Sequence, residues 1–552
     1  MQKSKPPVND RESFSCMTCK DIQDHPVELK LIKKMSTEYS GQDSTATINP
    51  ELQDALNQLG LTVQDVIQAA FNEQKGCAGI ARRVLKGKFC HDHAARRWYK
   101  FAGHYWTPDS MGEVFQSLDT VQDLFKKVLS DLLGTVVILG QQIKIADQVQ
   151  EETMDVEIKA LLKKQKTLQK IVYNLNNLPF RKQVAEFAAL GPDSLGITGN
   201  EWDRGPWLLP CKNGVIYLKT GKLEPGRPEQ YLKSACPTAY NPDATCPQFE
   251  QALMEICGGD LELMKYVQRV LGQALVGANL EQKFFILWGA GRNGKDTLLE
   301  TIKFVLGEKL AGPVQSELLL DQGRVRNSSG PSADIMRLRG LRIVWASETN
   351  EGRRMDSGKV KLLTGGGDLV GRPPYGRKEV SFPQSFTLFL LTNNKPHAPA
   401  EDYALWQRIH LIPFGMRFVG NPTEPNERKK DPHLWTKLQA EAAGILNFLV
   451  LGCLEWQEQG LCPPDIITRS TDEYRTSEDV IQHFIDDACL VGPGYTTQAK
   501  LLYDHYEKWM NENGLPALSN TIFGRKMAER FVKKKERTGS YYQHIGIIEE
   551  SG

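Results

Sequence analysis

The chain has 552 residues, of which 40% are apolar and 24% are charged, and its formal net charge is only +1. This composition is that of ordinary globular domains, and the length predicts about three or four of them. No apolar run reaches the roughly 18 residues of a membrane-spanning helix, and the N-terminus lacks the apolar stretch of a secretion signal. We therefore expect a cytoplasmic protein with no membrane partner, with reduced cysteines, and with nucleic-acid contacts confined to local basic patches.

The N-terminal half is predicted to be mainly helical. Residues 1–50 are polar and predict a flexible arm. Apolar residues then recur at helical spacing to about residue 190, around an aromatic stretch, RRWYKFAGHYWTPD, that predicts a small strand pair. The stretch NGVIYLKTGKL predicts a β-hairpin, and the loop NPDATCP predicts a domain boundary. Four parts follow from this pattern: an arm (1–50), an N-terminal domain (51–240), a core (241–460) and a C-terminal domain (461–552).

A glycine-rich loop stands between a predicted buried strand and a predicted helix in the stretch KFFILWGAGRNGKDTLLETIKFVLG. Glycines let backbone N–H groups surround phosphate oxygens, the helix N-terminus favours anions, and a lysine can reach the outer phosphates. A plain glycine turn is the alternative. The sequence thus predicts an ATP-binding loop made of Gly289, Ala290, Gly291, Arg292, Asn293, Gly294, Lys295, Asp296 and Thr297.

Asp296 occupies the position where a hydroxyl residue usually follows the lysine and holds magnesium. A carboxylate is also a good ligand for Mg²⁺, and Thr297 offers a hydroxyl one residue later. An anion beside the phosphates repels them unless a metal neutralises it. We therefore expect a magnesium-dependent site and leave open whether Asp296 or Thr297 holds the ion.

Further motifs follow in the next 120 or so residues. The apolar stretch LRIVWASETNEG ends in Glu348, and FTLFLLTNNKP ends in polar residues that include Asn393. DYALWQRIHLIPF presents Arg408 just before another apolar strand. Strands that alternate with helices in this way predict a mostly parallel sheet in an α/β domain.

The stretch VKLLTGGGDLVGRPPY lies between LRIVWASETNEG and FTLFLLTNNKP. In their order and spacing the glycine-rich loop and these motifs resemble superfamily-3 helicases of the poxvirus, phage and plasmid primase–helicase branch. Upstream, GCAGIARRVLKG and the aromatic stretch resemble the N-terminal helicase-associated domain of that branch. FGRKMAERFVKKKERTGSYYQHIGI resembles its winged-helix tail. The chain departs from the family pattern at Asp296 and by an extra glycine in TGGGD. The fold implied is an α/β AAA+ P-loop core with a mainly helical N-terminal domain and a C-terminal winged helix.

The resemblance also implies roles for individual residues. Lys295 would bind the β- and γ-phosphates, and Glu348 would polarise the attacking water and assist the metal. Asn393 would sense the γ-phosphate. Arg408 would act as an arginine finger across a subunit interface, which implies a ring, expected to be a homo-hexamer. Taken singly, Glu348, Asn393 and Arg408 could also be a strand-end acid, a turn residue and a surface cation.

Two basic regions are candidates for DNA contact. In the first, the resemblance implies a hairpin in the channel of the ring that carries Lys361, Arg372, Arg377 and Lys378. In the second, cations at helical spacing precede Tyr541 and Tyr542, which follow a turn as in the wing of a winged helix; a solvated basic face is the alternative. The candidates there are Arg525, Lys526, Lys533, Lys534 and Lys535.

The sequence also offers a candidate zinc site. Cys16, Cys19, Cys90 and His93 have ligand types and spacing that could hold the ion, but ordinary reduced thiols in a flexible arm explain the pattern as well.

The function predicted from these features is that of an ATP-hydrolysing replicative DNA helicase of a phage, plasmid or related mobile element in a bacterial cell. An ATP-switched replication initiator or loader without unwinding activity is the alternative, and a nucleotide-binding signalling protein is a third. The roughly 60 residues before the helicase-associated region are too few for a polymerising primase domain, so a separate primase or polymerase is expected as a partner.

Overall fold

The computed structural model describes residues 49–142, 148–321, 332–348, 350–372, 379–515 and 517–548. The predicted flexible arm therefore lies almost wholly outside the described residues. The chain forms two compact units, the first from Met1–Lys100 and Pro108–Asn200 and the second from Phe101–Thr107 and Glu201–Gly552. The division into four parts remains a prediction; in the structure, residues after Glu201 group with the second unit.

The described chain up to residue 200 is mainly helical, as predicted. Thr62 and Asp65 show how one helix begins: each side chain accepts a hydrogen bond from the other's backbone N–H group. Apolar side chains from all the longer helices of this segment form one core. The helices are α1 Pro50–Leu59, α2 Val63–Phe71, α3 Glu73–Leu85, α4 Glu113–Gln116, α5 Leu118–Gln142, α6 Gln148–Asn174 and α7 Leu178–Ala188.

Four short strands lie in the same stretch: β1 Phe89–Asp92, β2 Arg97–Phe101, β3 Trp106–Pro108 and β4 Gly196–Ile197. The predicted aromatic strand pair corresponds to β2 and β3. Strand β1 pairs antiparallel with β2 and parallel with β4.

The predicted hairpin lies in the second unit. Strands β5 Leu208–Cys211, β6 Gly214–Tyr217 and β7 Lys222–Glu224 form an antiparallel sheet. Helices α8 Pro247–Ile256 and α9 Leu261–Gln273 follow. Asp260 caps α9 by accepting from the Leu263 N–H group at 3.0 Å, which explains where that helix begins.

A five-stranded parallel sheet forms the centre of the second unit, in the spatial order β14-β8-β13-β10-β9. Phe284 and Ile286 of β8 face one apolar cluster, and Phe285 and Leu287 face another, so the sheet is buried on both faces. The strands are β8 Phe284–Trp288, β9 Ala311–Val314, β10 Ile343–Glu348, β13 Thr387–Thr392 and β14 Ile409–Pro413. This is the mixed α/β fold with a parallel sheet that the sequence predicts.

Helices and short two-stranded sheets connect and follow these strands. The helices are α10 Lys295–Leu306, α11 Ala333–Arg337, α12 Ser357–Thr364, α13 Tyr403–Trp406, α14 Leu434–Ala440, α15 Ala442–Gln459 and α16 Asp465–Ser477. Two-stranded sheets are formed by β11 Leu369–Gly371 with β12 Val380–Phe382, which are antiparallel, and by β15 Arg417–Val419 with β16 Glu427–Lys429.

The last part of the chain has the order helix, strand, two helices and two strands. These are α17 Val480–Ala488, β17 Cys489–Gln498, α18 Ala499–Glu512, α19 Asn520–Arg530, β18 Lys533–Glu536 and β19 Gly539–Ile547. The strands form a sheet in the order β17-β19-β18, packed on a core that includes Phe484, Tyr506 and Tyr542.

One prediction for this part is wrong. Lys533, Lys534 and Lys535 do not continue a helix; they lie on strand β18, exposed, and pair with β19. Lysine and glutamate favour helices in isolation, but backbone pairing to a neighbouring strand overrides that weak preference.

No single helix in the described parts of the chain is long and apolar enough to cross a membrane; α14 and α15 pass that test only as a pair, and they are bent by 73° at their junction.

Helices α9 and α15 approach each other at glycines, and this predicts the effect of one substitution. A Cβ atom at Gly272 would lie 2.2 Å from the backbone N of Cys453, where no flexible side chain can yield. We expect Gly272→Ala to lower the free energy of unfolding by about 1–3 kcal/mol, as overpacking does. Urea unfolding monitored by circular dichroism measures this. The control is Gly524→Ala in α19, where the nearest atom would be 3.6 Å away; an equal decrease in both variants would contradict the packing argument.

Candidate functional site

The loop between β8 and α10 is held in shape by the segment that follows β14. The Phe418 N–H group donates to Arg292 O at 2.8 Å, and Asn293 Nδ2 donates to Phe414 O at 3.2 Å. Gly294 caps α10 with φ of 87°, a conformation that favours glycine, and a Cβ atom there would lie 2.6 Å from Ile256. The backbone N–H groups of residues 290–294 find no acceptor among the described residues. The loop therefore presents a set of free donors at a helix N-terminus.

Lys295 is the first residue of α10 and is only 3% exposed. Its Nζ donates to Gly289 O at 2.6 Å and to Asn393 Oδ1 at 3.2 Å. Both acceptors are neutral, and within the described chain Lys295 forms no ion pair. Burial lowers the pKa of Lys295, and the charge of Asp296 opposes that shift. A buried ammonium group without a counterion is suited to bind an anion.

Glu348, Asn393 and Lys295, three predicted site residues, meet at one edge of the sheet. They do so because the strands that end in or precede them, β10, β13 and β8, are parallel neighbours. The register pairs Glu348 with Thr392 and Thr392 with Trp288, so β10, β13 and β8 end side by side. Asn393 follows Thr392 directly, and its carbonyl accepts from the indole N–H of Trp288 at 3.0 Å. Ligands of open parallel sheets bind at this carboxyl edge.

Glu348 is 7% exposed, and Oε1 accepts from the Asn350 N–H group at 2.8 Å. The Nε atom of Arg353 lies 3.8 Å from Oε2 and is buried without a hydrogen bond among the described residues. The distance is that of an ion pair without a hydrogen bond. Glu348 is thus a buried carboxylate with one oxygen still able to accept a proton or a further hydrogen bond.

Asp296 and Thr297 line a cavity of about 1040 Å³ that continues from the loop. Asp296 is exposed, and Thr297 is partly buried. The opposite walls come from α8, from β15 and from the segment before and within α14, and they include Phe418, Lys430 and Trp435. Both candidate metal ligands therefore face a space of the size that small ligands occupy.

Arg408 lies at the other edge of the same sheet. It precedes β14, and its carbonyl accepts from the N–H group of Phe284, the first residue of β8. About six residues of extended chain, or roughly 20 Å, separate this position from the start of the loop. Arg408 therefore cannot reach the loop of its own chain.

The first set of predicted DNA contacts is only partly described. Arg377 and Lys378 lie outside the described residues, in the stretch of sequence between β11 and β12. Arg372 follows β11, and its Nε is buried without a partner among the described residues. Lys361 lies on α12 and forms a 2.8 Å ion pair with Asp402, so it is not on the hairpin.

In the second set of predicted DNA contacts, near the end of the chain, some cations already have a partner within the chain and others are free. Lys526 of α19 forms a 2.8 Å ion pair with Glu401, and Lys533 lies over the ring of Tyr542 at 5.3 Å. Arg525, Lys534 and Lys535 are exposed and form no ion pair in the described chain.

The zinc hypothesis finds no support in the described residues. They contain no group of three or more histidine, cysteine and acidic side chains able to hold a metal ion. Cys90 is buried, and a ring nitrogen of His93 lies 2.9 Å from Ala189 O. Cys16 and Cys19 lie outside the described residues.

Sequence reasoning missed Arg353 and the far wall of the cavity. Arg353 carries no motif, and it becomes relevant only because the chain returns it to within 3.8 Å of Glu348. Phe418 and Trp435 lie more than a hundred residues after the loop, and nothing in their local sequence links them to it.

The comparisons with known proteins agree with the motifs. Residues 78–258 match the family model described as D5 N terminal like. Over 461 residues the chain is 26% identical to a protein named as a putative helicase of Acanthamoeba polyphaga mimivirus. The aligned region covers 79% of this chain and 45% of that protein. Over 342 residues it is 24% identical to a protein named as a putative primase of African swine fever virus. That aligned region covers 56% of this chain and 34% of the viral protein.

This chain thus spans less than half the length of these two curated relatives. Among solved structures, the apo structure of the NrS-1 C-terminal region shares 12% identity and a TM-score of 0.34 over 56% of this chain and 79% of that chain, which is a weak likeness. The chain carries a D5 N terminal like region and is related to proteins named as helicases and primases of large DNA viruses, which confirms the predicted resemblance to viral primase–helicases.

Proposed function

We propose that this protein is an ATP-dependent DNA helicase that acts in the replication of a virus or related mobile element. One observation carries the proposal. Lys295, Asn393 and Glu348 converge at the carboxyl ends of adjacent parallel strands, next to a loop with free backbone donors. This arrangement offers a phosphate cradle, a cation and a buried carboxylate within one site, as hydrolysis of a nucleoside triphosphate requires.

The residues fit ATP as the substrate. The free N–H groups of residues 290–294 and the unpaired ammonium group of Lys295 match the charge of the phosphates. The cavity beyond Asp296 and Thr297 has room for the rest of a nucleotide. When phosphates bind, Lys295 can exchange its bond to Gly289 O for one to an anion, which keeps the ammonium group satisfied.

Glu348 and Asn393 would act on the attacking water. Glu348 is held by Asn350 through one oxygen and can accept the proton of a water molecule with the other. Asn393 already contacts Lys295, so its amide lies where the outermost phosphate would be sensed. Arg353 would keep the Glu348 carboxylate in place.

Magnesium would be held by Asp296 or Thr297, and Glu348 would assist the ion. The ion, when bound, supplies positive charge that offsets the phosphates. We favour Asp296 because it directly follows Lys295 and its carboxylate is exposed to the cavity without a partner in the described chain.

Arg408 would complete the site of a neighbouring copy. Because Arg408 lies at the opposite edge of the sheet, it cannot act on the nucleotide of its own chain. The same position suits a head-to-tail contact between copies. Head-to-tail contacts close into rings when the rotation between copies closes, and we propose a homo-hexamer. The core would then be a P-loop domain of the AAA+ type, whose arginine contributes about 10³–10⁵-fold to the rate.

DNA would be bound by the last part of the chain and by the β11–β12 hairpin. The order helix, strand, two helices and two strands suits a winged helix, with α19 and the β18–β19 hairpin facing DNA. Arg525, Lys534 and Lys535 are the free cations of that surface.

The test is strand displacement on a forked DNA duplex, together with ATP hydrolysis with and without DNA. We expect DNA-stimulated hydrolysis and displacement of one strand by the wild-type protein, and neither by Lys295→Ala. DNA-stimulated hydrolysis without displacement under conditions where rings form would instead support an initiator or loader. Hydrolysis that DNA does not stimulate would contradict a role on DNA.

Complementation tests the split site. Lys295→Ala removes the cation of the loop, and Arg408→Ala removes the finger while leaving nucleotide binding intact, so each variant alone should lose at least about 10³-fold in turnover. Mixed rings of the two should regain activity because some interfaces then carry an intact loop and an intact Arg408. Mixed rings that remain inactive would show that Arg408 does not act in trans.

Three variants distinguish the metal ligands. If the carboxylate of Asp296 holds magnesium, Asp296→Ala should raise the magnesium concentration that gives half-maximal hydrolysis by about tenfold, a difference of roughly 1.4 kcal/mol. Asp296→Ser should stay active, and Thr297→Val should change little. The reverse pattern, with damage confined to Thr297→Val, would assign the ion to the threonine hydroxyl.

DNA affinity as a function of salt tests the basic surface. Replacing Lys534 and Lys535 together with Gln should reduce the slope of log affinity against log salt by roughly 0.7–0.9 for each phosphate that is no longer neutralised. Lys526→Gln is the control, because Lys526 is already paired with Glu401. An unchanged slope in the double variant would mean that β18 faces solvent in the complex.

A further inference from the structure

Two cations lie side by side at the amino-terminal edge of the central sheet. Lys283 immediately precedes β8, and Arg408 immediately precedes β14. The register pairs Phe284 with Ile409, and the Phe284 N–H group donates to Arg408 O at 2.6 Å. The two side chains therefore start from aligned positions on neighbouring parallel strands.

Neither cation has a carboxylate partner in the described chain. Lys283 Nζ donates to Gln407 O at 2.7 Å, and Arg408 Nη1 donates to Ala404 O at 2.6 Å. The Nε atom of Arg408 is buried and has no acceptor among the described residues. Glu281, the nearest acid along the chain, instead accepts from the indole N–H of Trp456 at 2.6 Å.

Lys283 and Arg408 lie close enough for their charges to repel. Burial lowers the pKa of Lys283, the charge of Glu281 opposes that shift, and the charge of Arg408 adds to it. Burial and the charge of Lys283 lower the pKa of His410, two residues after Arg408, to about 4. His410 is therefore neutral near pH 7 and bonds to the Tyr266 hydroxyl. Two half-buried like charges that form no ion pair in the described chain are stabilised when an anion is supplied from outside the chain.

We propose that Lys283 is a second trans-acting cation, which contacts the nucleotide bound by the neighbouring copy beside Arg408. The inference rests on the proposed function, since it needs a nucleotide held at the interface between copies. Lys283 lies as far from its own loop as Arg408 does, roughly 20 Å along β8. A triphosphate offers several anionic oxygens, so a planar guanidinium group and a point-like ammonium group can both be satisfied by it.

The variant that tests the proposal is Lys283→Gln, with Lys283→Arg retaining the charge. We expect Lys283→Gln to lower turnover at least about tenfold, as removal of roughly one charged interaction in the transition state does. The nucleotide affinity of single, unassembled chains should be unchanged. Lys283→Arg should retain most of the turnover. A second measurement that does not depend on turnover is the protein concentration at which rings dissociate on dilution. A non-hydrolysable ATP analogue should keep wild-type rings assembled at lower concentrations than ADP does, and Lys283→Gln should reduce that difference.

Mixed rings decide on which side of the interface Lys283 acts. If it acts in trans, Lys283→Gln mixed with Lys295→Ala regains activity, because one copy supplies the loop and the other supplies both cations. Lys283→Gln mixed with Arg408→Ala then shows no turnover above the residual level of the Lys283→Gln copies, because no copy supplies both cations. If Lys283 acts on its own nucleotide, the two outcomes are reversed, and the proposal is wrong.

A purely structural role, in which Lys283 positions Arg408 through Gln407, is excluded by a double variant. In an Arg408→Ala background, Lys283→Gln should still reduce the stabilisation of rings by the ATP analogue; no further reduction would contradict a direct contact. Normal turnover and normal ring stability in Lys283→Gln would also overturn the inference while Arg408 still complements Lys295. Failure of Arg408 and Lys295 to complement would instead overturn the proposed function.

Discussion

The parallel pairing of five strands is the constraint on which the rest of the structure depends. Parallel strands end at one edge, so residues from segments a hundred positions apart, such as Lys295 and Asn393, meet without any long-range signal in the sequence. The same pairing fixes the loop, because the chain leaving β14 bonds to Arg292 and Asn293. Both faces of the sheet are covered by apolar clusters, and that burial holds the register in which the site is built.

The same constraint separates two halves of the proposed chemistry. The proposed phosphate cradle lies at the carboxyl edge, whereas Lys283 and Arg408 lie at the amino edge and form no ion pair in the described chain. A single copy then has a cradle without the opposing cations and cations without an anion. Assembly of copies head to tail would satisfy both at once, which is the physical reason for the ring that we propose.

Much of this could be predicted from the sequence because the signals are local. The bounds of β8 and the first residue of α10 follow from an apolar run and a glycine loop, and the structure places them at Phe284–Trp288 and Lys295 as predicted. The helical prediction for Lys533–Lys535 is wrong because strand pairing with β19 depends on residues outside the local pattern. Lys361 is predicted to contact DNA, but its partner Asp402 lies 41 positions away and only the fold brings them together. Arg353 and Lys283 carry no motif, so only packing and charge reveal them.

The claim that the site is divided between copies is tested most directly by turnover per chain as a function of protein concentration, with the assembly state measured by mass photometry in the same samples. The proposal predicts that ATP hydrolysis per chain falls steeply at concentrations where rings dissociate, while binding of a fluorescent nucleotide to the loop persists. Turnover per chain that stays constant down to concentrations where only single copies remain would contradict the account.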